Sequence, residues 1–493
     1  MYNGADMNKK RFYGKHAVKG GVWLLGLKFT HRLLGIVRTV ILARLLAPVD
    51  FGLMGIAVLA VNMLDTFSRT GFEQALIREK ENIRGHLDTA WTMQVLRGTV
   101  LFAVLFLAAP LVAGFFKRPE AVDVIRALSF MQLIAGFRNI GTVFFDREMR
   151  FNKKVMLGLS GLIPNMLVSI VLAFTLRNVW ALVWGGLAGV AATSVCSYFM
   201  HPYRPRLRFY VSRAGELFGF GKWLLGSSII IFLATQGDDA FVGRVLGISA
   251  LGLYQMAYHI SNTFTTEVTH VISRVMFPAY SKLQDDLKRM AAAYLEVFSL
   301  NAFFSLMVFS GLVLFAGDFT RIFLGDKWLP AVAPLRVLAV AGLFRSMASA
   351  TGVVFHSMGK PRIDTFWQSV RLAVLVIFIV PLTALWGLVG VSVAVCLSIG
   401  ISTAGFMASL IKQIPVSPGA LVKMIIWPGL SALVMYGAGS WSRTFFSAAN
   451  ILSFAANLLI AMAVYFLSAW TWDRLYGYRI YDLITKRLKE VFA

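Results

Sequence analysis

The chain has 493 residues, of which 58% are hydrophobic, 13% aromatic and only 15% charged, and its mean hydropathy is +0.70. A soluble protein of this length carries far more surface charge, so the composition excludes a soluble globular domain and points to a polytopic membrane protein. The formal net charge of +24 would suggest nucleic acid for a soluble chain; in a membrane chain it reflects Lys and Arg gathered in cytoplasmic loops.

Apolar runs near the ~20 residues needed to cross ~30 Å of hydrocarbon recur along the whole chain. The first, 22–45, is too long and too charged for a signal-peptide core, and no small-residue cleavage site follows it, so it is read as a retained first span. Further spans are predicted at 52–68, 91–115, 124–144, 155–176 and 179–200. They continue at 221–245, 252–276, 292–316, 331–356, 364–385 and 387–411, and end at 420–440 and 450–471. The predicted fold class is all-α, with about fourteen transmembrane helices arranged as two pseudo-symmetric six-helix lobes plus two C-terminal helices. In domain terms this gives a cytoplasmic N-terminus (1–20), an N-terminal lobe (21–213), a C-terminal lobe (214–413), two additional helices (414–472) and a cytoplasmic tail (473–493). The tail, "DRLYGYRIYDLITKRLKEVFA", can lie as an amphipathic helix on the inner leaflet.

Basic residues cluster on alternate connections. Lys9, Lys10, Arg11 and Lys15, then Arg78, Lys80 and Arg84, Arg147, Arg150, Lys153 and Lys154, and Arg204, Arg206, Arg208 and Arg213 fall on one side; the other has far fewer. The positive-inside rule therefore predicts both termini in the cytoplasm.

The two six-helix sets repeat at an offset of 200. Gly21, Trp23, Leu24, Leu25 and Gly26 recur as Gly221, Trp223, Leu224, Leu225 and Gly226, and Arg44, Leu46, Gly52, Ala57 and Asn62 as Arg244, Leu246, Gly252, Ala257 and Asn262. Further on, "WGGLAGV" (184–190) recurs as "WGLVGV" (386–391) after a slip of a residue or two. Six is even, so both copies start on the cytoplasmic side and form parallel repeats about an axis along the membrane normal, the arrangement that places a substrate pathway between rocking lobes.

Charge inside the spans marks the candidate sites. At about 100° per residue, Lys28, His31, Arg32 and Arg38 share an arc of roughly 120° on the first span. Each central Arg or Lys costs ~3 kcal/mol and three cost ~9, while a dozen apolar residues return only ~6, so this face needs protein or water beside it. Snorkelling suits Arg44 but not Arg32; a cavity lining and buried structural ion pairs remain the two readings. Arg138 and Arg345 are further candidates for substrate binding, with Arg97 and Arg371 as other inward Arg residues. The carboxylates Asp65, Asp238, Asp239 and Glu267 are the candidates for ion coupling or a gate, led by the adjacent pair Asp238 and Asp239. Both cysteines, Cys196 and Cys396, sit in apolar runs and the seven histidines show no ligand spacing, so no disulfide framework, metal site or cofactor is expected.

The segments "ILARLLAPVDFGLMGIA" (41–57), "REMRFNKK" (147–154), "VGRVLGISALGLYQMAY" (242–258), "RVMFPAYSKLQDD" (274–286) and "FLGDKWLPAVAPL" (323–335) resemble the Wzx-type bacterial polysaccharide exporters. The resemblance is to the colanic-acid-exporter-like lipopolysaccharide biosynthesis branch of the multidrug/oligosaccharidyl-lipid/polysaccharide flippase superfamily. It implies a V-shaped pair of lobes, alternating access, no enzymatic activity, and an undecaprenyl-pyrophosphate-linked oligosaccharide turned from the cytoplasmic to the periplasmic leaflet. The implied partners are that lipid-linked substrate and membrane lipids, with a polysaccharide polymerase and export machinery as further candidates and no nucleic acid. A pyrophosphate headgroup, often with uronic acids or pyruvate ketals, needs a hydrated cationic route, which the charged face of the first span would offer. The alternatives are a multidrug or cation antiporter, which favours acidic and aromatic cavity residues, and a lipid II flippase, which shares a cationic cavity.

Overall fold

The computed structural model of the protein describes residues 30–68, 83–148, 150–208, 221–446, 450–477, 480–483 and 485. Lys28 and most of the C-terminal tail lie outside these. Every regular element among the described residues is helical. They form two compact units that succeed one another along the chain at Ile229 and Ile230.

The first unit contains α1 (30–45), α2 (Pro48–Phe67), α3 (Ile83–Phe115), α4 (Ala121–Gly136), α5 (Phe151–Leu176) and α6 (Trp180–Met200). The second contains most of α7 (Gly221–Val245), whose first two turns precede the boundary, then α8 (Ile248–Lys282), α9 (Leu287–Phe319), α10 (Val332–Ser357), α11 (Pro361–Ile411), α12 (Pro418–Phe445) and α13 (Ile451–Tyr476). Nine helical stretches among the described residues are long and apolar enough to cross a membrane. The expected spans 364–385 and 387–411 fall in one 51-residue run, α11, interrupted by Gly387 at φ 54°, ψ −128°. The expected span 124–144 ends early at Gly136. There Asn139 turns the chain, its side chain accepting from the Gly141 N–H, and a 3-10 turn (Ile140–Thr142) follows.

The repeat is visible as a shared break. Leu46 N donates to Leu42 O (2.8 Å) and Leu246 N to Val242 O (2.9 Å), and in each copy the next residue leaves the helix. Ala47 does so in extended conformation (φ −85°) before Pro48, whose ring is preset for a first helical turn. Gly247 does so at φ 89°, a conformation that glycine adopts without a Cβ penalty.

Two pairs of helices in the first unit approach to backbone contact. A Cβ on Gly98 of α3 would stand 2.7 Å from Gln132 O of α4, and one on Gly189 of α6 would stand 2.8 Å from Gly161 O of α5. Small residues at four-residue spacing, Gly185 and Gly189, are what lets α5 and α6 pack this closely where no hydrophobic effect drives them together. At the far end of α6, residues 201–208 run extended as a strap along the start of α3. Asp88 Oδ1 accepts from Tyr203 Oη and from the Arg206 N–H, the Arg208 N–H donates to Thr92 Oγ1 (3.0 Å), and Asn139 Nδ2 donates to Tyr203 O (2.7 Å). The His201 ring stacks on Phe144 (centroids 5.4 Å, planes 9° apart).

The core of the second unit is aromatic, with Tyr280, Tyr294, Phe298, Phe303, Phe355 and Tyr465 fully buried. The last two helices pack onto α9 through this core. Tyr465 Oη donates to Phe303 O (2.7 Å), Ser310 Oγ to Ala432 O (2.9 Å), and Arg443 pairs with Asp318 (2.8 Å).

Candidate functional site

A cavity of about 300 Å³ opens in the first unit between α1, α4, α5 and α6. The close α5–α6 contact builds one wall from Gly158, Gly161, Gly186 and Gly189, which expose backbone in place of side chains. His31 from α1, Arg138 just past α4, Asn165, Thr193 and Ser194 add polar groups. The sequence had put His31 and Arg138 among the basic candidates without relating them, and here they share one lining.

The rest of the basic face is distributed. Arg38 lies one turn and more beyond the cavity, half-buried, where its Nε donates to Ser169 Oγ of α5 (3.2 Å). Arg32 is half-buried on the same helix, and Lys28 falls outside the described residues. Asp65 sits at the end of α2 in an ion pair with Arg97 of α3 (2.7 Å), and the same guanidinium bonds Ser68 Oγ (2.8 Å).

In the second unit the adjacent carboxylates are held from the neighbouring helix. Asp238 is 2% exposed, and its Oδ2 accepts from Tyr254 Oη (2.6 Å); Asp239 Oδ2 accepts from Gln255 Nε2 (3.2 Å). The cation whose charge acts on Asp238 is Arg371 of α11, itself 8% exposed. Asp238 Oδ1 and Arg371 Nε are both buried without a hydrogen-bond partner among the described residues. Tyr258, one turn beyond Tyr254, lies under the guanidinium of Arg345 (4.6 Å to the ring centroid). All three Arg345 nitrogens are buried without a hydrogen-bond partner among the described residues, leaving the aromatic face as the partner of the charge. Glu267 belongs to α8, but its side chain lies outside the described residues.

The two units are chemically related at this point. The offset of 200 that relates the shared break pairs Arg38 with Asp238, and the offset of 202 that superposes Trp184 on Trp386 pairs Ser169 with Arg371. The position that carries Arg38 on the first helix of one repeat thus carries Asp238 in the other, with the charge reversed, and the position of Ser169 on the fifth helix carries Arg371. Asn165, Gly158, Tyr254 and Tyr258 carried no signal in the sequence, because each gains its meaning from a helix packed against its own.

The fold is shared with the lipid II flippase MurJ in an inward closed conformation, at a TM-score of 0.76 and 16% sequence identity, covering 92% of this chain and 99% of that one. The sequence gives the family: the chain belongs to the polysaccharide biosynthesis protein family, whose sequence model matches residues 41–333. The lipopolysaccharide biosynthesis protein WzxC of Escherichia coli (strain K12) is 27% identical over 337 residues, 67% of either chain. The teichuronic acid biosynthesis protein TuaB of Bacillus subtilis (strain 168) is 26% identical over 301 residues, 61% of this chain and 62% of that relative. The resemblance seen in the sequence segments is therefore one of family.

Proposed function

We propose that the protein is a flippase, and not an enzyme, that moves an anionic undecaprenyl-pyrophosphate-linked oligosaccharide from the cytoplasmic to the periplasmic leaflet of a bacterial inner membrane by alternating access. Family membership supports the polysaccharide part of this reading, and the observation that carries the rest is the basic set on α1 and beside it: His31 and Arg138 face one cavity, with Arg32 and Arg38 on the same helix. Guanidinium and imidazolium groups suit a pyrophosphate that must pass through hydrocarbon. The fourteen spans and cytoplasmic termini expected from the sequence would suit this function, and the break at Gly387 within α11 supports reading its two arms as separate crossings. In the second unit, Asp238 and Asp239 are the carboxylates best placed to couple transport to an ion, with Asp65 and Glu267 as further candidates. A polysaccharide polymerase and the export machinery would take the product at the outer leaflet.

The test is deletion of the gene followed by mass spectrometry of lipid-linked intermediates. Accumulation of a lipid-linked oligosaccharide other than lipid II supports the reading; accumulation of lipid II would replace it with the lipid II flippase alternative. Lys28, Arg32 and Arg38 together changed to Gln should reproduce the accumulation with the protein still present in the membrane.

A further inference from the structure

The cavity of the first unit carries a more selective chemistry than attraction of an anion. Thr193 Oγ1 donates to Gly189 O (2.9 Å) and Ser194 Oγ donates to Ile134 O (3.1 Å). Each hydroxyl has its single proton committed to the backbone and can offer a ligand only lone pairs. Asn165 Oδ1 is buried and has no hydrogen-bond partner among the described residues. Three acceptors in one lining call for hydroxyl donors. The same lining holds Arg138, which has donors only and makes no ion pair among the described residues, so it calls for an oxyanion. A polyhydroxy ring bearing an acid satisfies both demands at once. A lipophilic cation would be repelled by Arg138 and leave its donors unmatched, which a site holding that guanidinium penalises.

Size points the same way. About 300 Å³ is the lower end of the range for small-molecule sites, ~300–1,000 Å³, enough for one sugar ring and too little for an oligosaccharide. Of the wall glycines, Gly161 and Gly189 are demanded by packing, since a Cβ on either would stand within 2.9 Å of the other's carbonyl oxygen. Gly158 is not: a Cβ there would meet nothing nearer than the His31 ring at 3.9 Å. What its missing side chain preserves is the open volume.

We propose that this cavity is a subsite for a single acidic pyranose of the transported lipid-linked oligosaccharide, a uronic acid or a pyruvylated hexose, with the acid on Arg138 and with Gly158 setting the size of ring admitted. The proposal rests on the flippase reading. It adds that selection among substrates is made in the first unit by the charge and size of one sugar.

The same anion chemistry could come from the pyrophosphate, so the probes separate the two. Saturation-transfer NMR on the purified full-length protein would use sodium glucuronate, glucose and inorganic pyrophosphate, each at millimolar concentration. Glucuronate should give transfer that glucose does not displace at equal concentration. That transfer should fall at least fivefold in Gly158→Leu, and in Arg138→Gln the preference for glucuronate over glucose should vanish. Thermal melting checks that each variant is folded; if Gly158→Leu is not, Thr193→Val, which removes one acceptor at nearly constant volume, should weaken transfer in its place. Absence of glucuronate transfer, transfer unchanged in the folded variants, or displacement by pyrophosphate more readily than by glucuronate itself would overturn the subsite. In cells, a deletion strain that accumulates no lipid-linked oligosaccharide refutes the flippase reading, whereas accumulation on deletion with normal export by Gly158→Leu refutes the subsite alone.

Discussion

The buried charges of the second unit allow a quantitative test. Asp238 and Arg371 are 2% and 8% exposed, and neither Asp238 Oδ1 nor Arg371 Nε has a hydrogen-bond partner among the described residues. No ion pair joins them among the described residues; the charge of Arg371 acts on Asp238 from farther off. Removing either partner leaves the other buried with less compensation, at a cost of about 1–3 kcal/mol, and removing both costs less than the two losses together. In Asp238→Asn the bond from Tyr254 Oη persists without its charge, a further loss of about 1 kcal/mol that remains in the double variant. At roughly 2 °C per kcal/mol for a unit of this size, Arg371→Gln should lower Tm by about 2–6 °C, Asp238→Asn by about 4–8 °C, and the double variant by less than the sum of the two. Tryptophan fluorescence melts of the detergent-purified protein, read as a double-mutant cycle, measure the coupling. A double variant whose loss equals the sum of the single losses would refute the mutual dependence of the two residues.

The close contact of α5 and α6 predicts that Gly189→Ala, whose Cβ would press 2.8 Å from Gly161 O, destabilises by about 1–3 kcal/mol. Gly437→Ala, in open space on α12, should cost nothing in the same melting assay. The strap responds to pH. Burial, followed by the positive charge of Lys153 and with Arg150 and Arg204 adding to it, holds the His201 imidazole below its ordinary value near 6.5. The folded state therefore binds fewer protons than the unfolded one, so the contribution of His201 is present above about pH 6.5 and is lost as pH falls through its lowered value. Hydrogen exchange over 201–208, corrected for intrinsic rate, should rise between pH 7.5 and pH 5 in the native protein and stay flat in His201→Phe, which keeps the stack on Phe144.

Charge in an apolar run is conspicuous, and this is why the first-span face and the paired aspartates could be read from the sequence. The repeat was legible for a similar reason, since Trp, Arg and Asn in register are rare. The sequence could not say which charges are neighbours. Asp65 stands 2.7 Å from Arg97 of the next helix, a pairing that no spacing along the chain announces. Tyr254 follows Asp238 by sixteen residues, a separation that has no helical periodicity because a helix break at Gly247 lies between them. Asn165 and Gly158 are ordinary in composition and acquire a role only where α5 faces a cavity. The fourth span overran because the apolar residues of "FRNIGTVFF" outweigh Arg138 and Asn139, and a side chain that caps a turn does not show in hydropathy.

The strap also orders events during synthesis. Its eight residues are the last described residues before the first helix of the second unit, yet their partners, Asp88, Thr92 and Asn139, emerge from the ribosome about 60 to 120 residues earlier. Until residue 206 is available, the carboxylate of Asp88 lacks at least one of its two donors, and until residue 203 is, the turn at Asn139 lacks the carbonyl of Tyr203. The first unit is thus a structure that its own last described segment buckles shut, and the nascent chain carries that closure before the duplicated half is made.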